Sequence, residues 1–193
     1  TTFVSYIEDF LKREVGANLA QTLMTTHSAH VANTVEFEKV RYIRRHADSV
    51  ECKAMADFPT SGTVPERAER LEFLQKYMKL SYCDLYFCDK AILVEGASER
   101  LLLPDMIRKC NEQGNFDGVG IPLTSQYYTI IEVGRAYAHN FYDFVDYLEI
   151  PTLVLTDIDF AKGPHNKSCK WDEAEKSSNG AINKWCRNVL GIQ

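Results

Sequence analysis

The chain has 193 residues, 45% hydrophobic and 25% charged, with a formal net charge of −5. That length accommodates one domain, or one domain and part of another, and the composition is ordinary for a globular chain. No apolar run approaches the ~20 residues of a membrane span, no secretory signal stands at the front, and the net negative charge neither favours nonspecific binding to nucleic acid nor excludes it, since four acids gathered at one site would account for most of the excess.

The chain starts at Thr1 without an initiator Met and reads as a piece of a longer protein. Residues 3 to 18 place Val4, Ile7, Phe10, Leu11 and Val15 at helical spacing, with Gly16 as a stop. Leu19 to Met24 is a short strand-like run that leads into Thr25-Thr26-His27-Ser28. Val40 to Ile43 reads as a strand, paired with Val50 to Met55 through a turn at His46 to Ser49. The basic cluster Lys39, Arg41, Arg44, Arg45 and His46 reads as a solvated strand edge. Residues 57 to 66, rich in Pro, Thr, Ser and Gly, read as a linker before a helix from Glu66 to Leu80. Tyr82 to Phe87 carries a mixed pattern.

From there strands and helices alternate. A strand at 91–95 precedes a helix at 98–113 with a Leu101-Leu102-Leu103 core stripe, where Pro104 demands a late start or a kink. A strand at 128–133 ends at Gly134, and a helix at 136–148 buries Phe141, Phe144, Val145 and Leu148. The aromatic stripe of Tyr137, Phe141, Tyr142 and Phe144 reads as core, and His139 as packing. A strand at 152–156 follows, then a polar tail with a short helix at Ala181 to Val189. This alternation predicts crossover units and a parallel sheet, an α/β fold.

The chemistry is concentrated at two strand ends. Ala91-Ile92-Leu93-Val94-Glu95-Gly96, with Glu99 beyond it, and Thr152-Leu153-Val154-Leu155-Thr156-Asp157-Ile158-Asp159 are both apolar runs that end in acid. Ligands of open parallel sheets bind at the carboxyl ends of the strands. Glu95, Glu99, Asp157 and Asp159 are therefore expected at one edge. Clustered carboxylates repel one another, and a divalent cation with oxygen ligands, such as Mg²⁺, relieves the repulsion. Two such ions can hold the attacking and leaving oxygens of a phosphodiester. Glu95 and Glu99 are one helical turn apart, and Asp157 and Asp159 would point to one side of an extended segment. Glu132 reads either as a member of this group or as a salt-bridge partner. The six cysteines form no CxxC pair and read as reduced thiols of a cytoplasmic protein; Cys83 with Cys88, and His165 with Cys169, are weak zinc spacings.

The residues around these motifs resemble a known family. Ile92-Leu93-Val94-Glu95-Gly96-x-x-Glu99 with Leu155-Thr156-Asp157-Ile158-Asp159 resembles the Toprim domain of topoisomerases, primases and a group of nucleases. The wider wording, Asp89 through Pro104, Ile131 through His139, and Ser177-Ser178-Asn179-Gly180-Ala181-Ile182-x-Lys184-Trp185, resembles the OLD (overcoming lysogenisation defect) family of ATP-dependent endonucleases. Thr25-Thr26-His27-Ser28-Ala29-His30 resembles the switch-histidine loop of ABC-type ATPases, a domain that precedes Toprim in OLD proteins. The phosphate loop itself, Gly-x-x-x-x-Gly-Lys-Ser/Thr, is absent from the sequence.

The resemblance implies a Toprim-like (Rossmann-like) domain at 83–193, a linker helix at 61–82 and an ATPase-domain remnant at 1–60. It implies a Mg²⁺- or Mn²⁺-dependent DNA endonuclease, with ATP used only by the parent protein, in defence against phage or plasmids. Glu95, Asp157 and Asp159 would bind metal, with Glu99 as a fourth ligand. Lys184, or in second place Lys176, would offset charge on the phosphate. His27 would touch the γ-phosphate in the parent, whose ATPase heads would pair as a homo-oligomer. Arg135 stands where the family pattern has a second glycine, and reads as solvent-facing. Two rivals use the same residues. A primase or topoisomerase is one, and a topoisomerase would leave a covalent protein–DNA adduct. A non-catalytic docking module is the other, and it would show no stabilisation by Mg²⁺.

Overall fold

A computed structural model describes residues 3–14, 21–58, 64–78, 82–118, 120–134 and 137–191. The chain divides between Phe87 and Cys88 into two units, each described by itself. Val15, Gly16, Leu19, Ala20, the linker at 59–63 and Arg135 lie outside the described residues.

The first unit contains helix α1 (Phe3–Glu14), the single turn α2 (Ala29–Ala32), strands β1 (Arg41–Arg45) and β2 (Val50–Ala54), and helix α3 (Val64–Tyr77). The two strands form the expected antiparallel hairpin, Arg45 opposite Val50, closed by the His46 N–H donating to Ser49 O at 2.8 Å. Exposure alternates along β1: Arg41 and Arg45 are exposed together with Ile43, while Arg44 is half-buried on the other face. Glu51 sits across from Arg44, 3.3 Å from the His46 ring. Residues 21–24 form no strand among the described residues, contrary to expectation. Phe37, Met55, Leu74, Met78 and Leu85 are among its most deeply buried side chains. The Cys83 thiol donates to Met78 O at 2.9 Å, and burial, then Asp84, pushes its pKa up to about 11. A thiol so protonated is a poor nucleophile. Among the described residues no cysteine joins a group of three ligand side chains.

The second unit is built on a parallel sheet. Strands β3 (Lys90–Val94), β4 (Tyr128–Glu132) and β5 (Thr152–Leu155) lie in the order β4-β3-β5. Helix α4 (Ala97–Glu112) joins β3 to β4, and helix α5 (Tyr142–Tyr147) lies between β4 and β5. Ala91, Ile92, Leu93 and Val94 are all buried, as expected of a central strand covered on both faces. Ile92 and Val94 pack with Ile107 of α4, flanked by Leu103, Phe116 and Leu155. Strand alternation turns Ala91 and Leu93 to the opposite face. Phe141, Phe144 and Leu148 are fully enclosed, each contributing about 1.5–3 kcal/mol of burial.

Several expected details differ. Leu101 and Leu102 are 74% and 58% exposed, and only Leu103 turns inward, because three consecutive helical positions cannot share one face. The helix runs through Pro104 from Ala97, so the Arg100 carbonyl loses its helical donor. Residues 137–140 form a 3₁₀ turn rather than the start of the helix, and Tyr137 is exposed rather than core. The tail is more ordered than its polarity suggests. Strands β6 (Phe160–Lys162), β7 (Lys167–Ser168) and β8 (Lys176–Ser177) make a small antiparallel sheet, β7-β6-β8. Helix α6 (Gly180–Trp185) follows and ends in a wide turn over Cys186–Leu190.

Candidate active site

The two crossover connections run in opposite directions across the sheet. The chain passes from β3 to β4 on one side and returns to β5 on the other. Right-handed crossovers in opposite directions put their helices on opposite faces, and the carboxyl edge of such a sheet is where ligands bind. Val94 pairs with Leu155, so Glu95 and Thr156 leave the ladder side by side. Glu95 and Asp157, far apart in sequence, meet here: the Asp157 N–H donates to Glu95 Oε1 at 3.1 Å. Thr156 Oγ1 donates to the same oxygen.

Helix α4 starts beside them. Gly96 is its N-cap and Glu99 lies in its first turn, where negative charge is favoured. The Glu99 carboxylate folds back over the cap, so a Cβ at Gly96 would lie 3.0 Å from Glu99 Oε2. Glu95, Glu99, Asp157 and Asp159 have no cation within ion-pairing distance among the described residues. No three of them bring carboxylate oxygens within 4.8 Å of one another. Asp159 differs from expectation. Its φ of +50° ends the extended run and turns the chain into β6, so it does not simply repeat the direction of Asp157. Asp tolerates this left-handed conformation better than most residues. Glu132 faces Arg100 at 3.9 Å, as one of its two readings proposed.

The two lysines are placed differently. Lys184 Nζ donates to His139 O at 3.0 Å and to Asp143 Oδ1 at 3.2 Å, and lies 5.7 Å from the Tyr142 ring centroid. It therefore ties α6 to α5. Lys176 is exposed on β8, across from Ala161 of the strand that begins just after Asp159. His27 is exposed in the extended segment before α2.

Sequence reasoning assigned no role to Asn179, although its signal was present as the residue before Gly180. Its side chain is fully buried. Oδ1 accepts from Ala181 N at 2.9 Å and Ile182 N at 3.3 Å, capping α6. Nδ2 reaches Thr156 Oγ1 at 2.6 Å, Asp157 O at 2.8 Å and Glu95 Oε1 at 3.2 Å. Thr156 was likewise quoted in the motif but given no task.

The donor set fits a hard divalent cation: the acids offer only oxygen, carry uncompensated charge and are open to solvent on the Asp157–Asp159 side. A family model for the Toprim domain of overcoming-lysogenization-defect-like proteins matches residues 86–159. The matched segment runs from just before β3 to Asp159 and contains all four acids. The chain is also similar to Endonuclease GajA of Bacillus cereus (strain HuB5-5), 26% identical over 157 residues. That match takes in 77% of this chain and 21% of GajA, so the chain spans about a fifth of the relative's length. No solved structure matches the chain.

Proposed function

We propose that this chain carries the nuclease part of an OLD-type, ATP-dependent endonuclease that cleaves DNA in defence against phage or plasmids. One observation carries the proposal: at the carboxyl edge of the sheet the Asp157 backbone N–H donates to Glu95 Oε1 at 3.1 Å, which brings the two residues together with no cation beside them among the described residues. The similarity to a protein named an endonuclease supports the reaction class. Glu95, Glu99, Asp157 and Asp159 would hold one or two ions of Mg²⁺ or Mn²⁺. Bound there, such ions activate a water and stabilise the leaving oxygen of a phosphodiester. Thr156 and the Asp157 N–H fix one oxygen of Glu95.

A protein cation would offset charge that develops on the phosphate. We assign this task to Lys176 rather than Lys184. Lys176 is exposed beside the strand that follows Asp159, while the Lys184 ammonium is engaged by Asp143. Residues 1–60 are proposed to belong to an ABC-type ATPase domain, whose switch residue would be His27 and whose pairing would make the parent a homo-oligomer. No helix among the described residues is long and apolar enough to cross a membrane.

The test is incubation of supercoiled plasmid with Mg²⁺ or Mn²⁺, with wild type compared with Asp157→Ala. Nicking by wild type alone is expected; equal nicking by both removes the site. A covalent protein–DNA adduct would point instead to topoisomerase chemistry.

A further inference from the structure

We propose that Asn179 is the positioning residue of the acidic edge. Its carboxamide, acting with Thr156, takes up Glu95 Oε1 and leaves Oε2 as the oxygen offered to the cation. The proposal rests on the divalent-cation reading above and adds which atom binds and what aims it.

The orientation of the Asn179 amide is fixed by its surroundings. Its oxygen faces two backbone N–H groups of α6, and its nitrogen faces a carboxylate, a hydroxyl and a carbonyl. The reversed amide would set donor against donor at the two α6 N–H groups and acceptor against acceptor at the Glu95 carboxylate and the Asp157 carbonyl, leaving only the Thr156 hydroxyl able to adapt. Thr156 fits the same logic: its hydroxyl accepts from Asn179 Nδ2 and donates its one proton to Glu95 Oε1. Glu95 Oε1 therefore receives the Thr156 hydroxyl and the Asp157 N–H, and shares the two protons of Asn179 Nδ2 with Thr156 Oγ1 and Asp157 O.

A carboxylate oxygen already engaged by these donors has little lone-pair capacity left for a metal. Glu95 Oε2 has no hydrogen-bond partner among the described residues. Oε2 is therefore the oxygen that would hold an ion. A fully buried polar side chain is costly unless satisfied, and Asn179 is satisfied only while Glu95, Thr156 and the first turn of α6 keep these places. The segment after the acidic pair thus fixes the strand-end glutamate before any ion arrives. Neutral donors do this without cancelling the charge an ion needs, which a lysine would do.

The experiment is calorimetric titration of the 193-residue chain with Mn²⁺, using wild type, Glu95→Gln, Asn179→Ser, Thr156→Val and Thr156→Ser. Serine at 179 can still cap α6 but is too short to reach Glu95. Asn179→Ser and Thr156→Val are each expected to lower Mn²⁺ affinity about 10- to 100-fold. Circular dichroism should be unchanged, and plasmid nicking should recover at saturating Mn²⁺. Thr156→Ser should keep wild-type affinity, a rescue that a merely structural role would not require. Wild-type affinity in both Asn179→Ser and Thr156→Val overturns the positioning role. If Asn179→Ser does not fold, Thr156→Val alone decides, and unchanged affinity there overturns it. Equal Mn²⁺ affinity in wild type and Glu95→Gln overturns the underlying metal site instead.

Discussion

Two acidic places in the second unit are held in opposite ways. Asp143, on α5, faces the ammonium of Lys184 at 3.2 Å, with 29% and 19% of the side chains exposed. Glu95, at the end of β3, faces a hydroxyl, a backbone N–H and a carboxamide, and has no cation near it among the described residues. The first arrangement neutralises its charge internally and joins two helices. The second fixes a carboxylate in direction while leaving its charge intact. Structural acids have no reason to keep uncompensated charge beside Asp157, because like charges raise the energy of the fold. A metal ligand does, since the ion supplies the missing compensation on binding.

The largest effect expected from this contrast is at Asp157. Asp157→Asn should lower plasmid cleavage by about 100- to 1,000-fold, the loss of several kcal/mol of charge stabilisation. The same change should leave the metal-free melting temperature unchanged or raised, because a repulsion is removed. Excess chelator should lower the melting temperature of wild type measured with Mn²⁺ and leave that of Asp157→Asn unmoved. A variant that melts early but still cuts DNA would break the contrast by making Asp157 a structural acid.

Lys176 comes next. Lys176→Gln should reduce the cleavage rate at saturating Mn²⁺ by about 100-fold, the scale of one removed electrostatic donor. Mn²⁺ affinity measured by calorimetry should not change. Lys184→Gln and Asp143→Asn should do the reverse. Each should cost about 1–3 kcal/mol in chemical denaturation, because a part-buried partner is left unsatisfied, with cleavage preserved. The double variant should cost less than the sum of the singles. Loss of cleavage in Lys184→Gln at undiminished stability would move that lysine to the acidic edge.

How much of this was legible in the sequence depends on the kind of signal. Ala91 to Val94 is a continuous apolar run, so β3 was readable as a buried central strand and Glu95 as a residue at its carboxyl end. The hairpin turn between β1 and β2 was readable from its polar residues. Leu101 and Leu102 misled because composition marks them apolar while helix geometry points only Leu103 inward. Asp159 misled because an Asp-x-Asp pattern carries no sign of a left-handed φ. Asn179 was invisible as a positioning group: its task depends on Thr156 and Glu95, 23 and 84 positions away. Local pattern cannot report hydrogen bonds of that range. The Lys184–Asp143 pair, 41 positions apart, was hidden for the same reason.

The smallest expected effect concerns Glu99, whose membership in the acidic group is the least constrained by contacts. Gly96 allows it to be tested without touching a carboxylate. The Gly96 backbone is extended, φ −143° and ψ 172°, so alanine is tolerated there without conformational cost. The added Cβ would lie 3.0 Å from Glu99 Oε2, and the carboxylate must give way by a few tenths of an ångström. Alanine is also a poorer N-cap than glycine, which costs about 0.5 kcal/mol of helix stability. Gly96→Ala should therefore lower the melting temperature slightly whatever Glu99 does. If Glu99 ligates the ion, Gly96→Ala should also weaken Mn²⁺ binding, and Glu99→Gln should weaken it more. Once Glu99 is Gln, adding Gly96→Ala should have no further effect on affinity, because the displaced group no longer binds. Additive losses would mean that the cap itself, and not the glutamate, supports the ion, and would reduce the ligand set to Glu95, Asp157 and Asp159.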